Sequence, residues 1–412
     1  MEAYGYTESL SSKTGERVKA KIIKDSSGIY LVKESEEESG EKGLLERNEW
    51  FFNRTRQCLL EEQFPLNDIY IYVTSKCNLS CPVCFEDQTP SGEDISLENI
   101  KMLINQYKGK KIILSGREPT CRGDLPEIIK IASKKSRTVL LTNGIRLAEP
   151  GYAENLKRSG LARVVFSFNG FNDRIYEQMN GAPLLEKKLN GLENLKKAGL
   201  PTMLNMTLAR GVNDDQMADM VRYCMDNRSF IYQLRIRSMT ELGRSLEGRN
   251  QYVVSEIADV LANSLGARLD DFINERKILE KASNLFGFSM RTEKLCSIKF
   301  HIKGKRNPKP VAFGLVEDKI EKSRFKRIAT FIQMVKCFGI LQIVEYLPFM
   351  SKLFKPRFLT SVLGVEIRSW PNVSNIDLKE NFKCPTGLFR DGDVQPFCLA
   401  NVKRELMVKT EI

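Results

Sequence analysis

The strongest constraint on what this chain can fold into is an alternation of short apolar runs with amphipathic helical stretches, from about residue 66 to about residue 240. Asp68–Thr74, Lys111–Ser115, Thr138–Thr142, Arg163–Phe168, Thr202–Leu208 and Ile231–Ile236 read as strands. Leu97–Tyr107 with Ser96 as N-cap, Leu125–Lys134, Tyr152–Ser159, the stretch up to Ala198, and Asp215–Asp226 read as the helices between them. Strands separated by helices pair in parallel, through right-handed crossovers. Six such units predict an α/β fold, a partial (β/α)6 TIM-like barrel at residues 66–240, with its active site at the C-terminal strand ends.

The flanks read differently. In residues 1–65, Val18–Ile23 and Gly28–Lys33 form a small hairpin, Lys33–Lys42 a charged linker and Glu46–Phe64 a helix. Residues 241–412 read as an α-rich extension, with helices at Tyr252–Ala267 and within Ile320–Lys355, broken by Pro348, Pro356 and Pro371.

The start of the chain does not read as a signal peptide, and no apolar run reaches the roughly 18 to 20 residues of a membrane span. The expected location is cytoplasmic, where thiols stay reduced, so ten cysteines point to metal chemistry rather than disulfides. Cys58, Cys224 and Cys337 read as core residues. The net charge of +12 fits an acidic substrate, an anionic membrane surface or simply a solvated basic surface; no nucleic acid is expected. Residues 301–360 hold roughly three-quarters of that excess and are rich in Phe, Ile and Leu.

The first barrel strand runs into Ser75-Lys76-Cys77-Asn78-Leu79-Ser80-Cys81-Pro82-Val83-Cys84-Phe85. The spacing is C-x3-C-x2-C, three thiols on one short loop. Structural zinc wants four ligands, and no fourth Cys or His is near; the single histidine is His301. Ferredoxin clusters take four cysteines at other spacings, and a disulfide would strand one thiol. Three thiolates on a four-iron cube leave one iron open.

This loop resembles that of the radical S-adenosylmethionine (SAM) superfamily, with its aromatic residue after the last cysteine, here Phe85. Later segments resemble the family's motifs in order: Ser115-Gly116-Arg117-Glu118-Pro119-Thr120, Leu141-Thr142-Asn143-Gly144, Ser167-Phe168-Asn169-Gly170, Leu204-Asn205-Met206-Thr207 and Gln233-Leu234-Arg235. The resemblance implies a [4Fe-4S] cluster on Cys77, Cys81 and Cys84, with S-adenosyl-L-methionine chelating the open iron. It implies reductive cleavage to a 5′-deoxyadenosyl radical that removes hydrogen from an unactivated C–H bond. On the same footing Phe85, Gly116, Glu118, Pro119, Asn143, Ser167, Asn205 and Arg235 become cofactor-binding residues. Gly116 allows close approach, Glu118 accepts from the SAM ammonium and Arg235 pairs with its carboxylate. The family usually has a second glycine where this chain has Arg117.

Cys81–Phe85, Gly211-Val212-Asn213-Asp214 and the segment Asp391–Cys398 narrow the resemblance to a branch holding archaeal tetraether lipid synthase and the methanopterin-pathway pterin methyltransferase. That branch implies a lipid or isoprenoid substrate, with a pterin, cofactor precursor or peptide as the alternative, and a reductase, ferredoxin or flavodoxin as electron donor. Its relatives often begin with a metal knuckle; here Ser11, Thr14 and Ser35–Ser39 stand where ligands would be, so the hairpin is expected to hold no metal. Cys296, Cys384 and Cys398, with Cys121, either bind an auxiliary iron–sulfur cluster or are buried thiols steadying a terminal hairpin. Residues 319–356, basic and apolar together, either pack on the barrel or lie against an anionic membrane surface.

Overall fold

The structure is a computed structural model that describes residues 2–34, 42–57, 65–86, 94–244, 251–286, 296–304, 307–310, 362–390 and 392–410. Cys58, Cys337, Ser35–Ser39 and the basic stretch 319–356 lie outside the described residues.

The chain opens with four antiparallel strands in spatial order: β1 (Glu2–Leu10), β2 (Arg17–Asp25), β3 (Gly28–Lys33) and β4 (Lys42–Glu46). The expected hairpin is β2–β3; β1 and β4 extend it on either side. β1 lacks an apolar alternation because its buried positions include hydroxyls. Thr7 Oγ1 donates to Asp377 Oδ1 at 2.6 Å and Ser9 Oγ to the Ile376 carbonyl at 2.8 Å. Leu10 then packs among Leu242, Ile376, Leu399 and Val402, which joins this small sheet to the C-terminal part of the chain. Ser11 and Thr14 serve the next turn: Ser11 Oγ accepts from the amides of Lys13 and Thr14 at 3.2 and 3.0 Å. The helix expected from Glu46 starts at Glu49 and is described to Gln57.

Among the described residues the main sheet has eleven strands. Its centre is β5 (Asp68–Tyr72), β6 (Lys111–Ser115), β7 (Arg137–Thr142), β8 (Arg163–Ser167), β9 (Thr202–Leu208) and β10 (Ile231–Ser238), side by side in chain order and all parallel. These are the six expected strands, and helices fall in each gap. The C-terminal part holds more strand than its α-rich reading allows. β11 (Ser297–Lys303), β12 (Lys309–Pro310) and β13 (Val362–Arg368) continue the sheet beyond β10; β14 (Thr386–Arg390) and β15 (Asp393–Pro396) continue it beyond β5. The physical reason is edge protection: β5 and β10 would otherwise present unpaired backbone. Among the described residues no pairing closes the sheet, so the barrel is partial.

Alternate residues divide the sheet into two faces. Ile69, Ile71, Leu114, Phe166, Leu204 and Leu234 belong to the large outer core under the helices and are 0% exposed. Burying each such side chain stabilises the fold by roughly 1.5–3 kcal/mol. On the inner face Ile113, Val139, Val165 and Met203 form a separate apolar floor beside Tyr70 and Leu141. Toward the C-terminal ends the inner positions become polar: register aligns Ser167 with Asn205, Asn205 with Arg235, and Arg235 with Glu366.

Deleting residues 362–412 removes β13, β14 and β15 and bares both edges of the central sheet. The truncated chain is expected to aggregate and to bind a hydrophobic dye, read by light scattering and fluorescence. A soluble monomer with an unchanged urea midpoint would refute the edge-covering role.

Candidate active site

The cysteine loop leaves β5 at its C-terminal end, and other segments hold its root. Arg122, 9% exposed, donates from Nη1 to the carbonyls of Val73 at 2.5 Å and Ile95 at 2.7 Å, while Asp124 grips its other edge at 2.6 and 3.0 Å. Asp94 accepts from Thr74 Oγ1 at 2.8 Å and from the Ser75 amide at 3.0 Å. Farther along, Asn143 Nδ2 donates to Asn78 Oδ1 at 2.8 Å, Asn180 Nδ2 to Cys81 Sγ at 3.2 Å, and the Arg244 amide to the Cys84 carbonyl at 2.8 Å. Val83 packs against Met179, Ala209 and Met239. At the exit Arg404 bonds the Phe85 carbonyl and Glu86, whose carboxylate also accepts from Tyr72 Oη at 2.7 Å. The loop is thus tied to β6, β7, the helix Asp173–Asn180, the turn after β10 and the final helix.

The thiols of Cys77, Cys81 and Cys84 are free. Burial raises all three, Cys77 to about 11, so each is protonated near neutrality and a bound metal would displace the proton. Lys188 and Arg244 lie near Cys81, and Arg244, Arg117 and Arg404 near Cys84, a cationic setting that suits sulfur anions. Among the described residues no three Cys, His, Asp or Glu side chains converge as they would around one metal ion. An iron–sulfur cube takes each thiolate at a different corner, so three separate free thiols on one loop fit it.

The motif residues lie on the segments around this loop, each with structural partners of its own. Gly116 has φ +131°, and a Cβ there would stand 2.6 Å from the Thr74 carbonyl oxygen, so the segment leaving β5 demands the glycine. Glu118 is 1% exposed, and its carboxylate takes four donors: the Thr120 amide at 3.0 Å, Thr120 Oγ1 at 2.6 Å, Thr142 Oγ1 at 2.7 Å and the Asn143 amide at 2.7 Å. Three of those bonds fall on Oε1 and one on Oε2, so Glu118 braces the ends of β6 and β7 while Oε2 keeps room for a further donor. Pro119 is buried and starts the short turn that Glu118 caps. Ser167 and the buried Asn205 share an inner row with Arg235, but Arg235 Nη2 bonds Glu366 Oε2 at 3.1 Å. Arg235 thus stands in an internal ion pair at the row where the SAM carboxylate is expected. Phe85 stacks on Trp370, centroids 6.1 Å apart and planes at 27°.

Sequence reasoning missed Lys188. It is 0% exposed, and its Nζ donates to the carbonyls of Asn143 at 2.9 Å and Ser167 at 2.8 Å, joining the C-terminal ends of β7 and β8. Burial lowers its amine to about 8. The one signal in the sequence was a lysine on the otherwise apolar face of the helix Leu185–Lys197, shared with Leu192 and Leu195. Arg122 and Arg244 carried no signal at all.

The other cysteines divide. Cys224 is core, as expected. Cys121 lies by Glu118, Arg146 and Asn78, beside the first loop. Cys296, Cys384 and Cys398 instead line one cavity of about 90 Å³ with Trp370, Asp377 and Glu380. Burial raises the Cys398 thiol strongly, and the Cys296 and Cys384 sulfurs close to it add to the effect. Structure therefore brings three of the four expected auxiliary cysteines together and sets Cys121 apart.

Lys188 generates a pH test. Its folded value near 8 lies below the ordinary 10.5, so between those limits the unfolded chain binds more protons and stability rises with pH. Relative to Lys188→Met, the wild type is expected to gain stability from pH 8 to 10.5, read by urea melts. Parallel curves would refute the buried charge. At neutral pH the variant leaves two carbonyls unanswered, at about 1–3 kcal/mol in all.

The radical SAM superfamily model matches residues 71–224. The 7,8-dihydro-6-hydroxymethylpterin dimethyltransferase of Methanocaldococcus jannaschii is 35% identical over 194 residues, covering 43% of this chain and 38% of that one. A probable GTP 3′,8-cyclase of Pyrococcus abyssi is 32% identical over 186 residues, covering 44% of this chain and 60% of that one. The matches thus span 38% to 60% of these relatives' own lengths. The solved structure of Streptococcus suis SuiB with its precursor peptide aligns at 14% identity with a TM-score of 0.43, over 66% of this chain and 71% of that one, too distant to carry an argument. With the cysteine loop at the end of the first barrel strand, the family-model match and the two curated relatives place a radical SAM superfamily domain in this chain at residues 71–224.

Proposed function

We propose that this chain is a radical SAM enzyme acting on an unactivated C–H bond. The observation that carries the reading is the set of three free thiols on one loop at the C-terminal end of β5, in cationic surroundings. A bound [4Fe-4S] cluster would supply the open iron and the electron for splitting SAM to a 5′-deoxyadenosyl radical. The chain's own residues position and enclose. Asn78, Cys81 and Cys84 are fixed from three different segments, which holds the sulfurs in place without a fourth ligand. Glu118 and Lys188 lock the strand ends that form the rim beneath the loop. Such preorganisation limits water access and solvent rearrangement around the reacting groups.

The substrate reading is a lipid or isoprenoid chain. Supporting it are the apolar inner floor of Ile113, Val139, Val165 and Met203 and the basic, apolar composition of residues 319–356. Similarity to a pterin dimethyltransferase favours a second reading, modification of a pterin or cofactor precursor with SAM also as methyl donor. A one-electron donor of the ferredoxin or flavodoxin type belongs to either. Peripheral contact with an anionic membrane surface from the cytoplasmic side belongs to the first; among the described residues no helix is long and apolar enough to cross a membrane. Co-sedimentation with anionic vesicles at low salt is expected under the lipid reading, and absence of binding counts against it.

Anaerobic reconstitution with iron, sulfide, dithionite and SAM tests the enzyme. The wild type is expected to form 5′-deoxyadenosine, and Cys81→Ala to lose that product together with about four irons per chain. Unchanged cleavage by Cys81→Ala defeats the assignment. Iron analysis of the same sample tests the second thiol group: about eight irons per chain supports an auxiliary cluster at Cys296, Cys384 and Cys398, while about four supports buried thiols.

A further inference from the structure

Residues two apart on a strand climb the same face, and parallel strands in register set such residues in rows. β10 and β13 put Arg235 beside Glu366 and, one row nearer the C-terminal rim, Arg237 beside Arg368. The lower row is electrically answered: Glu366 Oε2 accepts from Arg235 Nη2 at 3.1 Å and from Gln233 Nε2 at 2.6 Å. The upper row sets two like charges directly opposite each other, which destabilises a sheet on its own. Among the described residues no carboxylate bonds either guanidinium. Arg237 Nε donates to Thr207 Oγ1 at 3.2 Å. Its guanidinium carbon lies 5.9 Å from the Phe85 ring centre and 5.5 Å from that of Trp370, and the Arg368 carbon lies 5.3 Å from the Trp370 ring. Burial, then the nearby Arg368 and Arg235, pulls Arg237 down to about 10, whereas, against burial, the nearby Cys296 and Glu366 push Arg368 up, so the uncompensated charge of the pair sits on Arg237. Phe85 follows Cys84 directly, so this pair faces the same end of the sheet as the cysteine loop.

We propose that Arg237 and Arg368 together bind a phosphate group of the substrate. A carboxylate is satisfied by one guanidinium fork, whereas a phosphate offers more oxygens and up to two charges, enough for two forks side by side. The aromatic rings of Phe85 and Trp370 shield the pair from bulk water and strengthen its hold on an anion. The phosphate is that of a small soluble ester or of a lipid headgroup; both present the same oxygens. The inference deepens the radical SAM reading by naming the substrate's anchoring group, but the binding itself does not depend on cluster chemistry.

The protein has two tryptophans, so Trp50→Phe leaves Trp370 as the sole reporter at this pair. Its fluorescence is titrated, at constant ionic strength, with inorganic phosphate, glycerol 3-phosphate, phosphatidylglycerol vesicles and acetate. A saturable response to at least one phosphate probe but not to acetate is expected. Arg237→Gln or Arg368→Gln should weaken it about tenfold to a hundredfold. Saturation by glycerol 3-phosphate assigns a soluble ester, and saturation by vesicles alone assigns a headgroup. No saturable response, equal response to acetate, or equal affinity in the variants overturns the proposal. Should the glutamine variants lose their thermal transition, Arg237→Lys and Arg368→Lys decide: they keep the charge without the fork, and unweakened binding in both overturns the proposal. SAM cleavage is assayed in the same samples. Its absence in the wild type counts against the enzyme reading alone, and absence of phosphate binding counts against this inference alone.

Discussion

The parallel, in-register pairing of six strands is the constraint from which the rest of the site follows. Because all six run the same way, their C-terminal ends meet at one rim, and every loop that carries chemistry leaves from there. Because they pair in register, the inner face is ordered in rows, apolar at the floor and polar at the rim. The outer face has one task, burial under helices, and its Ile, Leu and Phe side chains do that. A slip of one residue in any strand would send its inner polar residues into the outer core.

Rim and loop are coupled by buried polar groups used in pairs. Glu118 gathers donors from its own turn and from the end of β7; Lys188 donates to the ends of β7 and β8; Arg122 holds the start of the cysteine loop. Each is satisfied, so each adds rigidity rather than strain. From the other side, Arg404 of the last helix grips Phe85 and Glu86, and Glu405 accepts from the Gly243 amide at 2.7 Å. The C-terminal part of the chain therefore belongs to the site and to the sheet alike.

Much of this was legible in the sequence, for local reasons. The six strands are continuous apolar runs, the helices between them have one apolar face, and C-x3-C-x2-C is a contiguous pattern. What could not be read depends on distant partners. β1 buries Thr7 and Ser9, whose hydroxyls find acceptors some 370 residues away, so no apolar alternation marks it. β13 and β14 join the sheet only because β10 and β5 need neighbours. Gly116 was singled out for close approach of a cofactor, and the close approach seen in the structure is to Thr74. Arg235 was read as a ligand for a carboxylate, and the carboxylate it has is Glu366, brought alongside by a strand that sequence reading did not foresee. The gathering of Cys296, Cys384 and Cys398 without Cys121 is likewise a product of tertiary packing.

The central claim is that Cys77, Cys81 and Cys84 hold a cube with one iron left for SAM. Electron paramagnetic resonance of the reduced, reconstituted protein with SAM labelled with nitrogen-15 at its amino group addresses it directly. The account predicts a four-iron signal that changes on adding SAM and shows hyperfine coupling to the labelled nitrogen. A signal indifferent to SAM, or none from iron-loaded protein, would contradict it.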